Sequence, residues 1–511
     1  MPPSSSAPDP GLGTTRRDRR LHGVVGLWLL LGLVWSVAIP PMEAPDELTH
    51  VDFVQRIVDD RSYPRDPIVV QVPAVAAKAW IESQLDGHRF TEEVVPRPQR
   101  PSFPDLHSDD RFEAPNQMVQ HPPLGYLPLV LVEGFLRVAL PDLAFDLHLW
   151  ALRLSAVLLS AAVPLLIART VRALGGSPTQ CVLGALAPLG IPQLTATMAT
   201  IGNDLPVVVA AAAAAWAAAA MATGRAGAAR QLGAVIGLGA LTKGFGLALS
   251  GLAAIPLLDR PRRWRPALVT AATAALVGGW WWCWNLSRFG AIQPHGVPLE
   301  DLYGPPLTDG PGFGEWFGRA MPLLVDRSWG AFGSFGLGIG LPRWCTAIAT
   351  LGAVVLVVLG VARSGETVRR FAVAQALVLA IALAVLAQGA FSIFHDHGVL
   401  LGVQGRYLFV AVPGLAAVIA MGARVGERSR RPVALALAVI AAMQAFALWQ
   451  VLQGWWGPAG AGLSQRGRAW ASWMPVAPKA WAILCSVLAV GSVVALLPLG
   501  RDRRGATPPA R

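Results

Sequence analysis

Residues 21–39 read LHGVVGLWLLLGLVWSVAI and are followed at once by PPMEAPDELTH at residues 40–50. The apolar run contains no Asp, Glu, Lys or Arg, and it has the length of about 20 residues that a helix needs to cross a bilayer. Similar runs recur along the chain, which is 54% hydrophobic and only 14% charged. A soluble domain carries about 25% charged residues. The sequence therefore predicts an all-α polytopic membrane protein, with about twelve transmembrane helices.

The net charge of +11 does not indicate a nucleic-acid partner, because the basic residues stand in short groups beside the apolar runs. These groups are Arg16, Arg17, Arg19 and Arg20; Arg260, Arg262, Arg263 and Arg265; Arg424, Arg428, Arg430 and Arg431; and Arg501, Arg503 and Arg504. Such groups mark the cytoplasmic ends of membrane spans. We expect both termini in the cytoplasm of a bacterial plasma membrane protein.

This orientation divides the chain into three parts. Residues 1–20 are predicted to be a disordered basic cytoplasmic tail, residues 21–498 the membrane domain, and residues 499–511 a second basic tail. A cleaved signal peptide is the alternative for the first run, but that run is longer than the usual apolar core of such peptides.

Two parts of the membrane domain are predicted to depart from simple crossings. Residues 41–148 form a long extracytoplasmic loop, in which 124–140 fit a helix lying in the interface better than a span. Residues 231–258 have basic residues at both ends, which predicts a hairpin of two half-length helices broken around Thr242-Lys243-Gly244. Broken backbone at membrane depth is tolerated where it lines a cavity.

The segment after the first span holds the most informative polar residues. Pro45 suits the first position of a helix, so Asp46 and Glu47 are predicted in its first turn and His50 one turn further on. Such carboxylates at the outer membrane surface could take a proton from a sugar-accepting hydroxyl. They could equally hold a divalent metal ion against a phosphate, or simply compensate the helix dipole.

Two cations and one His-rich segment complete the residue-level prediction. Arg406 opens a predicted span directly after an outer loop, and Lys243 lies at the predicted break, so both suit a lipid-linked phosphate. The trio His395, Asp396 and His397 is expected in a solvated outer loop, because its spacing gives an incomplete metal site.

Several segments, taken in order, resemble the bacterial membrane family called domain of unknown function 2142. The matching segments are Pro45-Asp46-Glu47 with His50, His121-Pro122-Pro123-Leu124-Gly125-Tyr126, Asn203-Asp204, Leu241-Thr242-Lys243, Trp329-Gly330 through Phe335-Gly336, and Gln404-Gly405-Arg406-Tyr407-Leu408-Phe409. Gly125 departs from that pattern, which usually has a bulkier residue there. The family is similar to the C-type glycosyltransferases, such as the protein O-mannosyltransferases.

The resemblance implies a polyprenyl-phosphate sugar donor, a membrane-lipid environment and an extracytoplasmic acceptor of unknown identity. It implies catalytic residues among Asp46, Glu47 and His50, with either Asp46 or Glu47 as the base and His50 in support, and it agrees with Arg406 and Lys243 as ligands of the donor phosphate. The supporting residues would be His121, Asn203, Asp204, Gln404 and Tyr407. The alternatives are a transporter or flippase of lipid-linked sugars that uses the same cavity without a base, and a noncatalytic scaffold for polymer assembly.

Overall fold

The computed structural model describes residues 18–63, 68–69, 72–92, 94–106, 115–259, 264–293, 299–333, 338–426 and 429–497. The predicted C-terminal tail and all but the last residues of the predicted N-terminal tail lie outside these ranges. So do residues 334–336 of the Trp-Gly to Phe-Gly segment and several of the basic caps.

Helices account for nearly all regular structure in the described residues. The α-helices are α1 (Asp18–Ala38), α2 (Glu47–Asp59), α3 (Val72–Ser83), α4 (Leu127–Ala139), α5 (Phe145–Ser160), α6 (Ala162–Ala173), α7 (Pro178–Leu186), α8 (Pro192–Thr197), α9 (Asp204–Ala222), α10 (Ala228–Ala240), α11 (Ile255–Asp259), α12 (Trp264–Phe289), α13 (Leu299–Tyr303), α14 (Phe313–Trp329), α15 (Arg343–Ala362), α16 (Glu366–His397), α17 (Val412–Met421), α18 (Arg431–Trp455), α19 (Leu463–Trp473) and α20 (Pro478–Leu496). Strands β1 (Ile68–Val69) and β2 (Pro115–Asn116) pair antiparallel.

Eight helical stretches among the described residues are long and apolar enough to cross a membrane. They are Arg19–Ala38, Phe145–Ala173, Asp204–Ala222, Trp264–Phe289, Arg343–Ala362, Glu366–His397, Arg431–Trp455 and Pro478–Leu496. The prediction of an all-α, multi-pass membrane protein is therefore confirmed, while the number of twelve crossings stays a prediction. The difference comes from predicted spans whose helices are short or broken, as at 181–199 and 406–423.

The hairpin predicted near 231–258 is present as α10 followed by a 3-10 helix at Gly244–Ala254 and by α11. α10 ends where the chain turns at Thr242 and Lys243. The two legs touch directly, because a Cβ placed on Gly246 would lie 2.0 Å from the carbonyl oxygen of Gly239. Only glycine permits so close an approach of the two backbones. The contact between Gly246 and Gly239 therefore lies next to the break between α10 and the 3-10 helix.

Residues 39–144 lie between the first two candidate spans and contain α2, α3, α4, both strands and short 3-10 turns at Arg97–Gln99, Phe103–Asp105, Gln117–Gln120 and Pro123–Gly125. Their buried side chains, which include Phe53 and Phe90, share one core with Trp35 of α1 and Trp455 of α18. α4 has only 13 residues, about 20 Å of helix, and leaves Leu131, Phe135 and Val138 exposed. α4 is thus shorter than a membrane span, while its placement in the interface stays a prediction.

Two local predictions were wrong. α2 begins at Glu47 rather than Pro45, because Asp46 adopts a left-handed conformation (φ 61°) and holds the position before the helix. His395, Asp396 and His397 form the last turn of α16 rather than a loop. Ring nitrogen Nδ1 of His395 lies 3.2 Å from the carbonyl oxygen of Pro311, so this histidine packs against the segment that precedes α14.

Candidate active site

Asp46 lies where the chain leaves the first span and enters α2. Its left-handed backbone is uncommon for a residue other than glycine, although aspartate tolerates it better than most. The side chain caps no backbone group of α2. The carboxylate is instead turned toward Arg406, whose Nη2 donates to Asp46 Oδ2. Backbone strain of this kind is typical of functional positions.

Arg406 joins two carboxylates that come from distant parts of the chain. Besides its contact with Asp46, its Nη1 donates to the carbonyl oxygen of Pro45 at 3.2 Å, and its Nε lies 3.5 Å from Asp204 Oδ2. Asp204 in turn accepts from Lys243 Nζ at 2.6 Å. We call Asp46, Arg406, Asp204 and Lys243 the ion-pair chain.

The charges of the ion-pair chain alternate and formally sum to zero. Arg406, Asp204 and Lys243 are 7%, 6% and 4% exposed. Buried charges of this kind are stable only as long as each keeps its partner. A small cavity borders the ion-pair chain and is lined in part by Pro45, His50, Gly202, Asp204 and Arg406. A ligand phosphate entering there would compete with the two carboxylates for Arg406.

The position of Arg406 is set by its two neighbours in sequence. Gly405 packs so closely on the end of α14 that a Cβ there would lie 2.2 Å from the backbone nitrogen of Ser328. Tyr407 stacks on Phe245 with ring centroids 4.3 Å apart. Lys243 Nζ lies 5.1 Å from the Tyr407 ring centroid. The Tyr407 ring therefore holds the hairpin turn and the Arg406 segment together.

Glu47 serves a different purpose from Asp46, although the two are adjacent. Its carboxylate accepts from Arg153 Nε at 2.8 Å and from Arg153 Nη2 at 2.5 Å. The backbone nitrogens of Met42 and Ile201 also donate to it, each at 3.1 Å. With Glu47 only 1% exposed and its oxygens bonded in this way, we infer that it positions α2 against the neighbouring helices.

Arg153 is the important residue that the sequence prediction missed. It also donates to three backbone carbonyls at the end of α1, those of Ser36, Ile39 and Pro40, at 2.7–2.9 Å. The signal was present, because an arginine inside an apolar span is by default functional or tightly paired. The prediction treated 149–168 only as a span.

His50 lies one turn after Asp46 on α2, with its Nδ1 2.9 Å from the hydroxyl oxygen of Tyr126. Burial lowers the pKa of His50 to about 4, so its imidazole is neutral at pH 7. Burial by itself would raise the pKa of Asp46, but the interactions with Arg406, His50 and Lys243 together outweigh that effect, so the pKa lies below its usual value. At neutral pH the site therefore pairs an ionised carboxylate with a neutral imidazole.

The His-Pro-Pro-Leu-Gly-Tyr segment packs onto the hairpin turn. The backbone nitrogen of Leu124 donates to the carbonyl oxygen of Leu241 at 3.0 Å. A Cβ on Gly125 would lie 2.4 Å from the carbonyl oxygen of Thr242 and 3.1 Å from Cβ of Asn203. The glycine that departs from the family pattern thus allows a close backbone contact, which we call the 125–242 seam.

The remaining predicted residues lie around this core. Asn203 precedes α9 and is fully buried. His121 lies near enough to Lys243 for that charge, after burial, to lower its imidazole pKa well below the usual value. Gln404 is 6% exposed and precedes Arg406 in a short 3-10 turn. These predicted residues thus surround the ion-pair chain. Glu47 lies beside Asp46 in sequence, but its carboxylate is bonded to Arg153 instead of Arg406.

A metal site is not evident in the part of the chain that the structure describes, where no three His, Cys, Asp or Glu side chains come together in a group that could hold an ion. The carboxylate of Asp204, which lines the cavity, and the carboxylate of Asp46 each contact Arg406. The predicted alternative of a divalent ion at the first-loop carboxylates stays a prediction.

Comparison with known proteins gives a family-model match over part of the chain. Residues 135–282 match the family model described as dolichyl-phosphate-mannose-protein mannosyltransferase. This confirms the predicted similarity to the protein O-mannosyltransferases over that stretch, which includes Asp204 and Lys243 but not Asp46 or Arg406. Membership of the domain of unknown function 2142 family stays a prediction. No curated protein matches the sequence.

Two kinds of solved structure are similar to this chain. ArnT from Cupriavidus metallidurans, bound to undecaprenyl phosphate, is 14% identical with a TM-score of 0.47, over 93% of this chain and 76% of that one. The oligosaccharyltransferase AglB from Archaeoglobus fulgidus, in complex with an inhibitory peptide and a dolichol-phosphate, is 13% identical with a TM-score of 0.44, over 86% of this chain and 56% of that one. At these values the ligands and reactions of those proteins do not carry over.

Proposed function

We propose that this protein is a membrane glycosyltransferase that moves a sugar from a polyprenyl-phosphate donor to a hydroxyl group of an extracytoplasmic acceptor. The observation that carries the proposal is the ion pair between Asp46 and Arg406 beside a cavity. It supplies a base and a phosphate ligand at one point, which is what this transfer needs. The family model that matches residues 135–282 supports a lipid-phosphate sugar as the donor.

In the proposed reaction the acceptor hydroxyl oxygen attacks the anomeric carbon of the donor sugar. The bond between that carbon and the phosphate oxygen breaks, and its electron pair leaves with the polyprenyl phosphate. The hydroxyl proton moves to the carboxylate of Asp46. Such a positioned base typically accelerates a reaction by about 10²–10⁴-fold.

Arg406 links donor binding to the availability of the base. Its guanidinium contacts both Asp46 and Asp204. A donor phosphate would draw Arg406 toward itself, because a guanidinium binds phosphate through two parallel hydrogen bonds. That movement would release the Asp46 carboxylate for the acceptor, while Lys243 would add a second positive charge for the leaving phosphate.

His50 would assist as a neutral group. Its Nδ1 is engaged with the Tyr126 hydroxyl, while its Nε2 and Cδ2 lie toward Gly202 at the cavity wall. A neutral imidazole next to Asp46 can orient an acceptor hydroxyl without competing with Arg406 for the carboxylate. The role of Glu47 in the proposal is to hold α2 in place through Arg153.

The test is transfer by the purified full chain in detergent or nanodiscs. Undecaprenyl-phosphate sugars labelled in the sugar would be incubated with extracts of cell-envelope lipid, glycan and protein. We expect label in an acceptor fraction and release of undecaprenyl phosphate, both lost in Asp46→Asn. A flippase would instead move the labelled donor between leaflets of sealed vesicles without releasing the carrier, and that result would contradict the proposal.

A further inference from the structure

Asn203 is in an unusual state for a buried amide. It occupies the position before α9, where asparagine is among the best capping residues. Its side chain nevertheless makes no capping hydrogen bond. Asn203 is 0% exposed, and among the described residues neither its Nδ2 nor its Oδ1 has a hydrogen-bond partner. Because nearly all buried polar groups in proteins are paired, such an amide calls for a partner that binds from outside.

The surroundings of Asn203 place that partner beside the ion-pair chain. The next residue is Asp204, which is bonded to Lys243. On another side, the 125–242 seam brings the backbone of Gly125 against the Asn203 Cβ. Asn203 is therefore fixed between the hairpin turn and the segment that contains His121.

Further unpaired polar atoms occur in the elements that meet at this seam. Nδ1 of His121 and the indole nitrogens of Trp281 and Trp282 are buried without a partner among the described residues. The two tryptophans pack with Leu241, and Leu124 lies against the same small cluster. These atoms belong to side chains that are uncharged at neutral pH, in contrast to the ion-pair chain next to them.

The chemistry of these groups selects a neutral, hydroxyl-rich ligand. An amide offers donors and an acceptor side by side, which suits two neighbouring hydroxyl groups. A phosphate suits it less well, because it can only accept from the amide N–H groups and would leave the Asn203 carbonyl oxygen unpaired. The phosphate belongs at Arg406, and the group attached to that phosphate in a lipid-linked sugar donor is a ring of hydroxyls.

We propose that Asn203 is a specificity-determining residue that binds ring hydroxyls of the donor sugar. The assignment rests on the proposed function, since it requires a sugar attached to the phosphate at Arg406. A buried amide that is matched to hydroxyls binds a ligand lacking them poorly, because its polar atoms then stay unpaired. Asn203 therefore lets the site distinguish a loaded carrier from a spent one and favours release of the spent carrier.

The experiment compares the affinity of the full-length protein for bare undecaprenyl phosphate with its affinity for undecaprenyl phosphate carrying glucose, galactose or mannose. We expect the wild type to prefer at least one loaded carrier. In Asn203→Ala that preference should fall by about tenfold or more, as expected for lost matched hydrogen bonds in a buried site. The affinity for the bare carrier should stay within about twofold, because the phosphate ligands are unchanged. The melting temperature should not fall, because the amide has no partner to lose.

Asn116 provides the matched control. It is also 0% exposed, but it donates to Thr49 O at 2.9 Å and Asp52 Oδ2 at 2.6 Å and accepts from Met118 N at 2.9 Å. Asn116→Ala should lower the melting temperature and keep the preference for the loaded carrier.

The possible results separate the two proposals. A wild type that binds neither bare undecaprenyl phosphate nor any of the loaded carriers contradicts the proposed function itself. A wild type that binds every carrier equally contradicts the assignment of Asn203 alone, as does an Asn203→Ala protein that keeps the preference. A melting temperature lowered in Asn203→Ala as in Asn116→Ala would show a structural amide and would also overturn the assignment.

Discussion

Arg406 donates to Asp46 across 360 residues of sequence. The contact joins the segment that follows the first span to the segment that precedes α17. Both partners are largely buried, and Arg406 also contacts Asp204. The guanidinium is thus shared between two carboxylates. A ligand that takes Arg406 from Asp46 changes the reactivity of that carboxylate without moving it.

Replacing Asp46 by asparagine should reduce transfer by about 10²–10⁴-fold, because the amide cannot accept the acceptor proton. Donor binding should persist, since Arg406 and Lys243 remain. The measurement is the rate of sugar transfer at saturating donor, together with donor affinity. Asp60→Asn, at the far end of α2 and exposed, is the control and should be fully active. Equal turnover in Asp46→Asn and wild type would rule out Asp46 as the base.

The helices were predictable from the sequence because long charge-free runs decide membrane spans on length alone. The run at 343–362 coincides with α15, and the predicted break at Thr242-Lys243-Gly244 is where the hairpin turns. The broken segment that contains α7 and α8 was predicted as a single span near 181–199. Its overall apolar character favoured a single span, but Pro188 and Pro192 each stand at the start of a new short helix, because proline cannot continue a helix without losing a backbone hydrogen bond.

Replacing Glu47 by glutamine should act mainly on stability. Removing one partner of a buried ion pair typically costs about 3–5 kcal/mol, because the other charge, here Arg153, is left buried without compensation. We expect a clearly lower melting temperature and a smaller yield of folded protein. Glu82→Gln is the matched control, since Glu82 also forms an ion pair, with its Oε1 3.6 Å from Lys78 Nζ, but its side chain is exposed. Exposed pairs contribute about 0–1 kcal/mol.

The same pair offers a second test of the structural role. A combined replacement of Glu47 by Gln and of Arg153 by Met removes both buried charges at once. Its loss of stability should be smaller than the sum of the losses in the two single variants, although the carbonyl oxygens of Ser36, Ile39 and Pro40 lose their donor. The double variant should keep transfer if Glu47 only positions α2. A stable double variant without any transfer, beside an active Asp46→Asn, would instead make Glu47 the base.

Most residues of the candidate site could be chosen from the sequence, but the ion pairs that they form could not. Asp46, His50, Asp204, Lys243 and Arg406 were all chosen from the sequence. The predicted orientation placed Asp46 and His50 just after the first span and the other three at outer ends of membrane segments, so all five were expected at the same face of the membrane. The division of labour between Asp46 and Glu47 depends on the left-handed turn at Asp46 and on Arg153, which lies more than a hundred residues further along the chain.

The stability of the wild type should fall as the pH is lowered from about 6.5 toward 4. His50 is buried and neutral, with its pKa lowered from 6.5 to about 4 by burial. Between these two pKa values the unfolded chain binds a proton at His50 that the folded chain excludes. The contribution of His50 to the free energy of unfolding is therefore complete above about pH 6.5 and is lost as the pH falls toward 4. The full effect is about 3 kcal/mol, because one pKa unit corresponds to about 1.4 kcal/mol.

Melting temperatures measured from pH 4 to 7.5 check this prediction, with His50→Gln as the comparison. The variant lacks the titrating imidazole, so its melting temperature should change less over the same range. The charged groups near His50 are Asp46, Asp204, Lys243 and Arg406, and the low pKa of Asp46 places its own titration below this window. A slope that is identical in both proteins would show that His50 is not the group responsible.

The 125–242 seam should be intolerant of a single added methyl group. In Gly125→Ala the new Cβ would lie 2.4 Å from the Thr242 carbonyl oxygen, a distance that real Cβ atoms do not adopt, and the opposing atom is backbone that cannot rotate away. The hairpin turn must therefore shift, and Lys243 shifts with it relative to Asp204. We expect lower transfer and a lower melting temperature.

Gly134→Ala in α4 is the control, because nothing lies within 4 Å of the added Cβ. This variant should keep the wild-type transfer rate and melting temperature, since alanine also favours the helix by about 1 kcal/mol. Wild-type activity in Gly125→Ala would mean that the hairpin turn moves freely and that the position of Lys243 does not limit transfer.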